Sequence, residues 1–374
     1  MSGFLRNLST IILQPTNVNE VSEELSQQEI ISPCSLRSFL TTVLGTLVFV
    51  LLVNFVATWY QRHYTYNRGF WLVREKWKML LNMNKPVDWL ILGDSSCNQG
   101  VNPEIFEKVL GGRAVNLATI DAVLVANNVW MLETYIQLFG PPENVLIVFG
   151  SNIWRRKLNP VLLEKIPLEW GFWNRLRPHL KLRTGDKIKF FLSRYVPLYA
   201  ENESLNDLIT RRSWRPWTLF SQNYHLEEDG YMRWYKPSSA YVEWHTNYLV
   251  QIAKENQFEP SEINLRAWEQ TIALADHYKI NIYIANSPMY EGLYQNESFQ
   301  AYYGEIREML KSYTDRNQLV NYIDKSVTFP RDQMENANHA LHSAAQIYTK
   351  MLVTEILTVR QKDKKQLCDI GNID

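Results

Sequence analysis

The stretch Trp89–Cys97, which reads Trp-Leu-Ile-Leu-Gly-Asp-Ser-Ser-Cys, is the feature that most constrains the fold of this chain. Its apolar residues stop abruptly at Gly93-Asp94-Ser95, and a short apolar run that ends at a glycine is typical of a buried strand in a parallel sheet. In open α/β sheets, ligands bind just outside the carboxyl ends of such strands. Ser95 would therefore lie where a hydroxyl nucleophile can act. The alternative interpretation of the same residues is a polar loop in which a serine caps the next helix.

Strand and helix patterns alternate downstream of this stretch. Helices are predicted at Pro103–Leu110, Asp121–Phe139, Leu265–His277, Ser298–Tyr313 and His339–Val359. Further strands are predicted at Ala114–Ala118, Asn144–Phe149, Ile280–Ala285 and Leu319–Ile323. This order predicts an α/β fold with a parallel sheet covered by helices on both faces. Residues 153–260 break the alternation and contain many of the tryptophans, so we interpret them as a long insertion.

A second constraint lies nearer the N-terminus. From Phe39 to Tyr60 the chain carries no charged residue, and a bilayer span needs about 20 apolar residues. Trp59 and Tyr60 end the run, as in an interfacial aromatic belt. A buried helix of a soluble protein is the alternative interpretation. The basic residues that follow the run, including Arg62 and Arg68, would place the large domain in the cytoplasm by the positive-inside rule.

These patterns divide the chain into segments. We expect a disordered tail at 1–36, a transmembrane anchor at 37–61, a helical connector at 62–86, an α/β domain at 87–360 with an insertion at about 153–260, and a polar tail at 361–374.

Composition excludes some functions. Lys and Arg together number 39, as do Asp and Glu, so nothing indicates a nucleic-acid partner. The three cysteines lie far apart and form neither a metal-ligand pattern nor a disulfide framework. We find no glycine-rich phosphate loop, and we expect neither a cofactor nor a metal.

Polar groups recur where the predicted strands end. Ser95 follows the first strand, Asn116 lies in the second, and Asn152 follows the third, while Asn336-Ala337-Asn338-His339 opens the last predicted helix. Because parallel strands end at one edge of a sheet, these groups can meet there. Together they supply what acyl transfer needs: a hydroxyl nucleophile, a histidine base, and amide donors for the developing oxyanion.

On these residues the chain resembles the SGNH (GDSL) hydrolase superfamily over roughly 87–152 and 263–353. Trp-Leu-Ile-Leu-Gly-Asp-Ser is similar to the first block of that family, Gly150-Ser151-Asn152 to the third, and His339 to the histidine of the last. The resemblance implies a three-layer, flavodoxin-like sheet. It also implies that Ser95 is the nucleophile, that the Ser95 N–H and Asn152 donate to the oxyanion, and that His339 is the base.

Two departures from the family pattern bear on catalysis. The family has an aspartate three residues before the histidine, whereas this chain has Asn336, and an amide cannot stabilise an imidazolium as a carboxylate does. Either Asp332 takes that place, or the site is a Ser–His dyad, or it is catalytically weak. The second block also lacks the glycine whose N–H faces the oxyanion, so Asn116 or Ala118 must substitute.

Two other residues offer alternatives to this assignment. His342 is the fallback base, one turn beyond His339. Cys97 lies two residues past Ser95 and could be read as another nucleophile, but no matched basic partner favours it. We interpret it as a small buried residue.

The anchor and the insertion are similar to a membrane-attached branch of the superfamily that serves cell-surface polysaccharide O-acylation. The expected function is therefore a membrane-anchored serine esterase or O-acyltransferase. Its substrates would be acyl esters of a cell-surface polysaccharide or glycolipid. The expected partners are the lipid bilayer and a membrane-bound acyltransferase, and the resemblance places the domain outside the cytoplasm. The alternative is a catalytically weak or inactive module that binds a surface polymer or a membrane partner.

Overall fold

The computed structural model describes residues 33–64, 68–157, 166, 184–200, 225–255 and 258–370. The predicted tail falls outside these residues except for its last four positions, which are helical. Much of the predicted insertion also falls outside them.

The helices account for most of the regular structure. They are α1 (Pro33–Tyr64), α2 (Arg68–Leu81), α3 (Ser95–Gly100), α4 (Pro103–Leu110), α5 (Leu124–Phe139), α6 (Thr184–Tyr195), α7 (Pro197–Ala200), α8 (Ser239–Glu255), α9 (Glu262–Tyr278), α10 (Glu291–Tyr294), α11 (Glu297–Thr314) and α12 (His342–Ile370). Short 3-10 helices occupy Asp121–Val123, Ile153–Arg155 and Arg331–Gln333.

The strands are short. They are β1 (Trp89–Gly93), β2 (Ala114–Asn116), β3 (Asn144–Phe149), β4 (His225–Leu226), β5 (Met232–Arg233), β6 (Asn281–Asn286), β7 (Met289–Tyr290), β8 (Val320–Ile323), β9 (Thr328–Phe329), β10 (Met334–Asn336) and β11 (His339–Ala340).

A five-stranded sheet in the order β2-β1-β3-β6-β8 forms the centre of the domain. Every neighbouring pair in it is parallel, and β1 pairs with β3 from Trp89 opposite Asn144 to Gly93 opposite Val148. The chain adds β2 on one side of β1 and then β3 on the other. The loops that follow β1 and β3 therefore flank the topological switch point, where open α/β sheets bind ligands.

Helices cover both faces of this sheet, because alternate strand residues enter two separate hydrophobic clusters. Leu90 and Leu92 of β1 belong to one cluster, whereas Trp89 and Ile91 belong to the other. The first cluster contains side chains of α2, α5, α9 and α11, namely Trp77, Trp130, Trp268 and Tyr302. The second contains side chains of α4 and α12, namely Phe106, Tyr348 and Leu352. The predicted α/β class and the all-parallel sheet are confirmed.

The chain divides into two units, residues 1–56 and 57–374. Among the described residues, one helical stretch is long and apolar enough to cross a membrane. It is Leu36–Ala57, with 22 residues. The predicted span at 37–61 falls on this stretch.

Two predicted helices begin later than the sequence indicated. The segment predicted as one helix from Asp121 starts with a 3-10 turn, and α5 begins at Leu124, whose φ of 67° interrupts the helical backbone. The helix predicted from His339 begins at His342, because residues 334–340 form a hairpin, β10–β11. His339 therefore lies on a strand.

Candidate active site

The loop after β1 is fixed by a glycine and an aspartate. A Cβ on Gly93 would lie 2.1 Å from the Val148 carbonyl oxygen of β3, so only glycine permits this close approach. Asp94 then caps α3, and its Oδ1 accepts the Ser96 N–H at 2.9 Å. Its Oδ2 accepts the Gly150 N–H at 2.7 Å. The buried carboxylate thus joins the loops that follow β1 and β3.

Asp94 is held as an acceptor in an environment that disfavours its charge. Burial raises the pKa of the Asp94 carboxyl to about 6, and nearby Asp121 adds to this shift. The hydrogen bonds from Ser96 and Gly150 lower the pKa and so oppose the shift in part.

Ser95 is the first residue of α3 and is partly buried. Within the described parts of the chain its hydroxyl has no hydrogen-bond partner, so Oγ is free to approach a ligand. Its N–H belongs to the first helical turn, where backbone donors have no partner inside the helix. A nucleophile and an oxyanion donor can therefore come from this one residue.

His339 is held by two asparagines of its own hairpin. Its Nδ1 lies 2.8 Å from Asn336 Oδ1 and 2.8 Å from Asn338 Oδ1. Asn336 Oδ1 also accepts the Asn338 backbone N–H at 3.0 Å, which identifies that atom as the carbonyl oxygen of the amide. A carbonyl oxygen only accepts hydrogen bonds, so Nδ1 of His339 carries the proton. The lone pair is then on Nε2, which is the tautomer that a general base requires.

The hairpin packs against the helix that Ser95 begins. Helix α3 contacts β11, and Gln99 Nε2 donates to Glu335 Oε2 at 2.9 Å. The serine and the histidine thus lie on directly contacting elements. No hydrogen bond joins the Ser95 and His339 side chains in the part of the chain that is described.

Asn152 forms part of a polar chain on the other side of the switch point. Its Nδ2 donates to Asp121 Oδ2 at 2.6 Å, and Arg156 Nε donates to the same oxygen at 2.8 Å. The Asp121 carboxylate orients the Asn152 amide with nitrogen toward it, and one N–H of that nitrogen remains for another acceptor. The Oδ1 atom of Asn152 is buried without a partner among the described residues.

Three of these side chains converge on one point, the position that a Cβ on Gly150 would occupy. A Cβ placed there would lie 2.6 Å from Asn338 Nδ2, 3.1 Å from Asn152 Oδ1 and 3.3 Å from Asp94 Oδ2. The loops after β1 and β3 and the β10–β11 turn therefore meet around this glycine. The structure brings the segments that carry Ser95, Asn152 and His339 to one edge of the sheet.

Two predicted site residues lie elsewhere. Asn116 is the buried last residue of β2, where its Nδ2 donates to the carbonyls of Cys97 and Val101 and its backbone N–H donates to the Asp229 carbonyl. Its N–H groups already have protein acceptors, so the geometry gives no support to an oxyanion role. Asp332 is exposed on a 3-10 turn, and the atom it was expected to orient, His339 Nδ1, is bonded to the two asparagines instead.

The fallback residues have other partners. His342 Nδ1 lies 3.0 Å from the Tyr231 hydroxyl. Cys97 is buried, its Sγ donates to the Leu92 carbonyl at 3.3 Å, and burial raises the pKa of its thiol well above the ordinary value. The geometry therefore gives no support to His342 as the base or to Cys97 as the nucleophile.

His245 of α8 is the site residue that sequence reasoning missed. Helix α8 packs against β10, and His245 interacts with the Asn336 side chain. Burial lowers the pKa of His245, and burial together with nearby His245 lowers the pKa of His339 to about 3. Both rings are therefore neutral at pH 7. A lone histidine inside an irregular insertion carries no signal for this placement, which only the fold reveals.

The described ranges contain no group of three or more His, Cys, Asp or Glu side chains arranged to hold a metal ion. No family model matches the chain, and no curated protein matches it either.

Proposed function

We propose that this chain is a membrane-anchored serine ester hydrolase or O-acyltransferase of the SGNH type, acting on acyl esters of a cell-surface polysaccharide or glycolipid. One observation carries the proposal. His339 is held by Asn336 with its proton on Nδ1, and it stands on a hairpin that packs against the helix begun by Ser95.

The reaction follows from these positions. Ser95 Oγ attacks the acyl carbon while its proton passes to His339 Nε2, and the carbonyl oxygen becomes an oxyanion. The Ser95 N–H and the remaining N–H of Asn152 donate to that oxygen. The intermediate then collapses, the C–O bond to the alcohol breaks, and the alcohol leaves with the proton from His339. Water or a second hydroxyl takes the acyl group from Ser95 in the reverse sequence of steps.

Catalysis by this site should be slow, because nothing in the described residues compensates the charge that His339 gains. Asn336 fixes the tautomer but is neutral, and burial disfavours the imidazolium. The same feature supports the second candidate function, a weak or inactive module that binds a surface polymer or a membrane partner.

The membrane part of the proposal rests on the stretch Leu36–Ala57. We place the domain outside the cytoplasm, with a membrane-bound acyltransferase as a partner, although the basic residues after the stretch favour the opposite orientation. Carbonate washing of membranes tests the anchor, since an anchored protein stays in the pellet. External protease added to intact cells tests the orientation, and a protected domain would contradict an extracytoplasmic location.

Hydrolysis of p-nitrophenyl acetate by the full-length protein in detergent tests the chemistry. Ser95→Ala should abolish turnover. Ser298→Ala is a matched control, because Ser298 is also partly buried in the first turn of a helix, α11. Equal turnover by Ser95→Ala and the parent protein would exclude Ser95 as the nucleophile. An inactive parent protein would favour the binding module.

A further inference from the structure

Helix α8 carries a row of exposed aromatic side chains. Tyr241, Trp244 and Tyr248, here called the aromatic row, are 40%, 59% and 39% exposed. The ring centroids of Tyr241 and Trp244 are 5.6 Å apart with planes 19° apart. Those of Trp244 and Tyr248 are 5.9 Å apart with planes 4° apart. The three rings are thus nearly parallel along successive turns of one helix.

The row continues into the candidate active site at two places. His245 lies on the same helix, and its ring centroid is 6.1 Å from that of Trp244 with the planes 20° apart. The His245 side chain also interacts with Asn336. Tyr248 lies near Arg156, and Arg156 is the partner of Asp121. A molecule that lies along the row would therefore extend beside both the histidine and the Asn152 side of the site.

We infer that the aromatic row binds the pyranose rings of a polysaccharide whose acyl ester enters the site. The inference rests on the proposed function for the choice of an acylated polymer. The face of an aromatic ring is electron-rich, so it attracts the C–H groups on the apolar face of a sugar ring while the hydroxyl groups remain in water. Tyrosine and tryptophan also supply polar edges that bond to those hydroxyl groups.

A lipid surface fits the row less well. The charged residues of α8 are Glu243, Lys254 and Glu255, and exposed Glu243 stands next to Trp244. Helices that lie on anionic membranes carry an excess of basic residues on the polar face. The charge of α8 therefore favours a neutral or weakly charged polymer over an anionic bilayer.

Affinity electrophoresis of the full-length protein, in native detergent gels that contain acetylated xylan or hydroxyethylcellulose, tests this inference. Trp244→Leu removes the ring but keeps an apolar side chain, and it should weaken retardation about tenfold. Trp244→Phe keeps an aromatic face and should retain most of the binding. Tyr278→Leu is the matched control, because Tyr278 is 38% exposed and ends α9 at the opposite edge of the sheet. It should migrate like the parent protein.

The inference is overturned if the parent protein is retarded by neither polymer, or if Trp244→Leu is retarded as strongly as the parent. A vesicle-binding assay, with the protein held in zwitterionic nanodiscs, tests the lipid alternative. The inference is also overturned if Trp244→Leu lowers binding to phosphatidylglycerol-containing vesicles but leaves retardation by the polymers unchanged. Ser95→Ala in the same gels separates the two proposals, since it should still be retarded. If Trp244→Leu is no longer retarded while Ser95→Ala keeps normal esterase turnover, the proposed chemistry is refuted and the binding of polysaccharide by the aromatic row is supported.

Discussion

Asn336 Oδ1 lies 2.8 Å from His339 Nδ1 and fixes the ring in the tautomer that a general base needs. The expected aspartate would do the same and would also stabilise the imidazolium. Asn336 therefore orients the His339 ring but does not compensate the positive charge that the ring gains during catalysis.

Replacing Asn336 by aspartate should restore the missing charge. In Asn336→Asp the carboxylate would raise the pKa of His339 from its value of about 3, and it would stabilise the imidazolium that forms when Ser95 attacks. We expect kcat for p-nitrophenyl acetate to rise by at least about tenfold. Steady-state kinetics measures this, and Asn336→Leu, which removes the orienting oxygen, should lose activity. If Asn336→Asp and the parent protein turn over equally, His339 is not the base.

Gly150 should tolerate no side chain. In Gly150→Ala the new methyl group would meet Asn338 Nδ2 at 2.6 Å and Asn152 Oδ1 at 3.1 Å. Displacement of these amides should lower esterase activity at least about tenfold and destabilise the fold by about 1–3 kcal/mol. Activity assays and urea unfolding in detergent test both effects.

The control for Gly150→Ala is Gly304→Ala in α11, where nothing lies within 4 Å of the added methyl group. This change should leave activity unaltered and stabilise the helix by about 0.5–1 kcal/mol. Comparable losses in both variants would show that the convergence on Gly150 has no functional role.

The Asp94 carboxyl should make stability depend on pH. Its pKa is raised from 3.8 to about 6 in the folded state, so the folded protein binds this proton more tightly than the unfolded chain does. The resulting stability is present in full below pH 4 and is lost as the pH rises to about 6, a change of about 3 kcal/mol. His339 acts in the opposite direction, because its lowered pKa costs stability as the pH falls below 6.5.

The difference between the parent protein and Asp94→Asn isolates this carboxyl from other titrating groups. Free energies of unfolding measured from pH 4 to pH 7 should show the parent losing stability relative to Asp94→Asn as the pH rises. The variant is expected to be less stable at every pH, since the amide group turns a donor toward Gly150 or Ser96. A constant difference would mean that Asp94 titrates normally.

The sheet could be predicted from the sequence because its strands are buried on both faces. Trp89–Gly93 and Asn144–Phe149 were predicted without error, and the other strands of the sheet differ from their predicted bounds by one or two residues at their ends. The polar residues at the carboxyl ends of β1 and β3 could then be assigned to one edge from topology alone. Burial of the strand leaves a continuous apolar run in the sequence, and that pattern survives without any tertiary information.

The rest of the site depends on contacts between distant segments. Asn336–His339 was predicted to open a helix, but the Asn336 side chain accepts the Asn338 N–H and turns the chain into a hairpin. Nothing near His245 in the sequence indicates that it meets Asn336, which is 91 residues away along the chain. The use of Asn116 as a structural amide was equally invisible, because its partners are backbone carbonyls.

Asn152 supplies the last prediction. Its amide nitrogen is oriented by Asp121 at 2.6 Å, and its second N–H is the one that we assign to the oxyanion. Asn152→Ala should lose about 2.7–4 kcal/mol of transition-state stabilisation. The loss should appear in kcat more than in KM, because the hydrogen bond from Asn152 strengthens as negative charge develops on the oxyanion. Asn317→Ala is the matched control, since Asn317 Nδ2 also donates to an aspartate, Asp276, at 2.9 Å but on the exposed surface. It should leave kcat unchanged. A normal kcat in Asn152→Ala, with the parent protein active, would remove Asn152 from the oxyanion site and leave the Ser95 N–H as the donor.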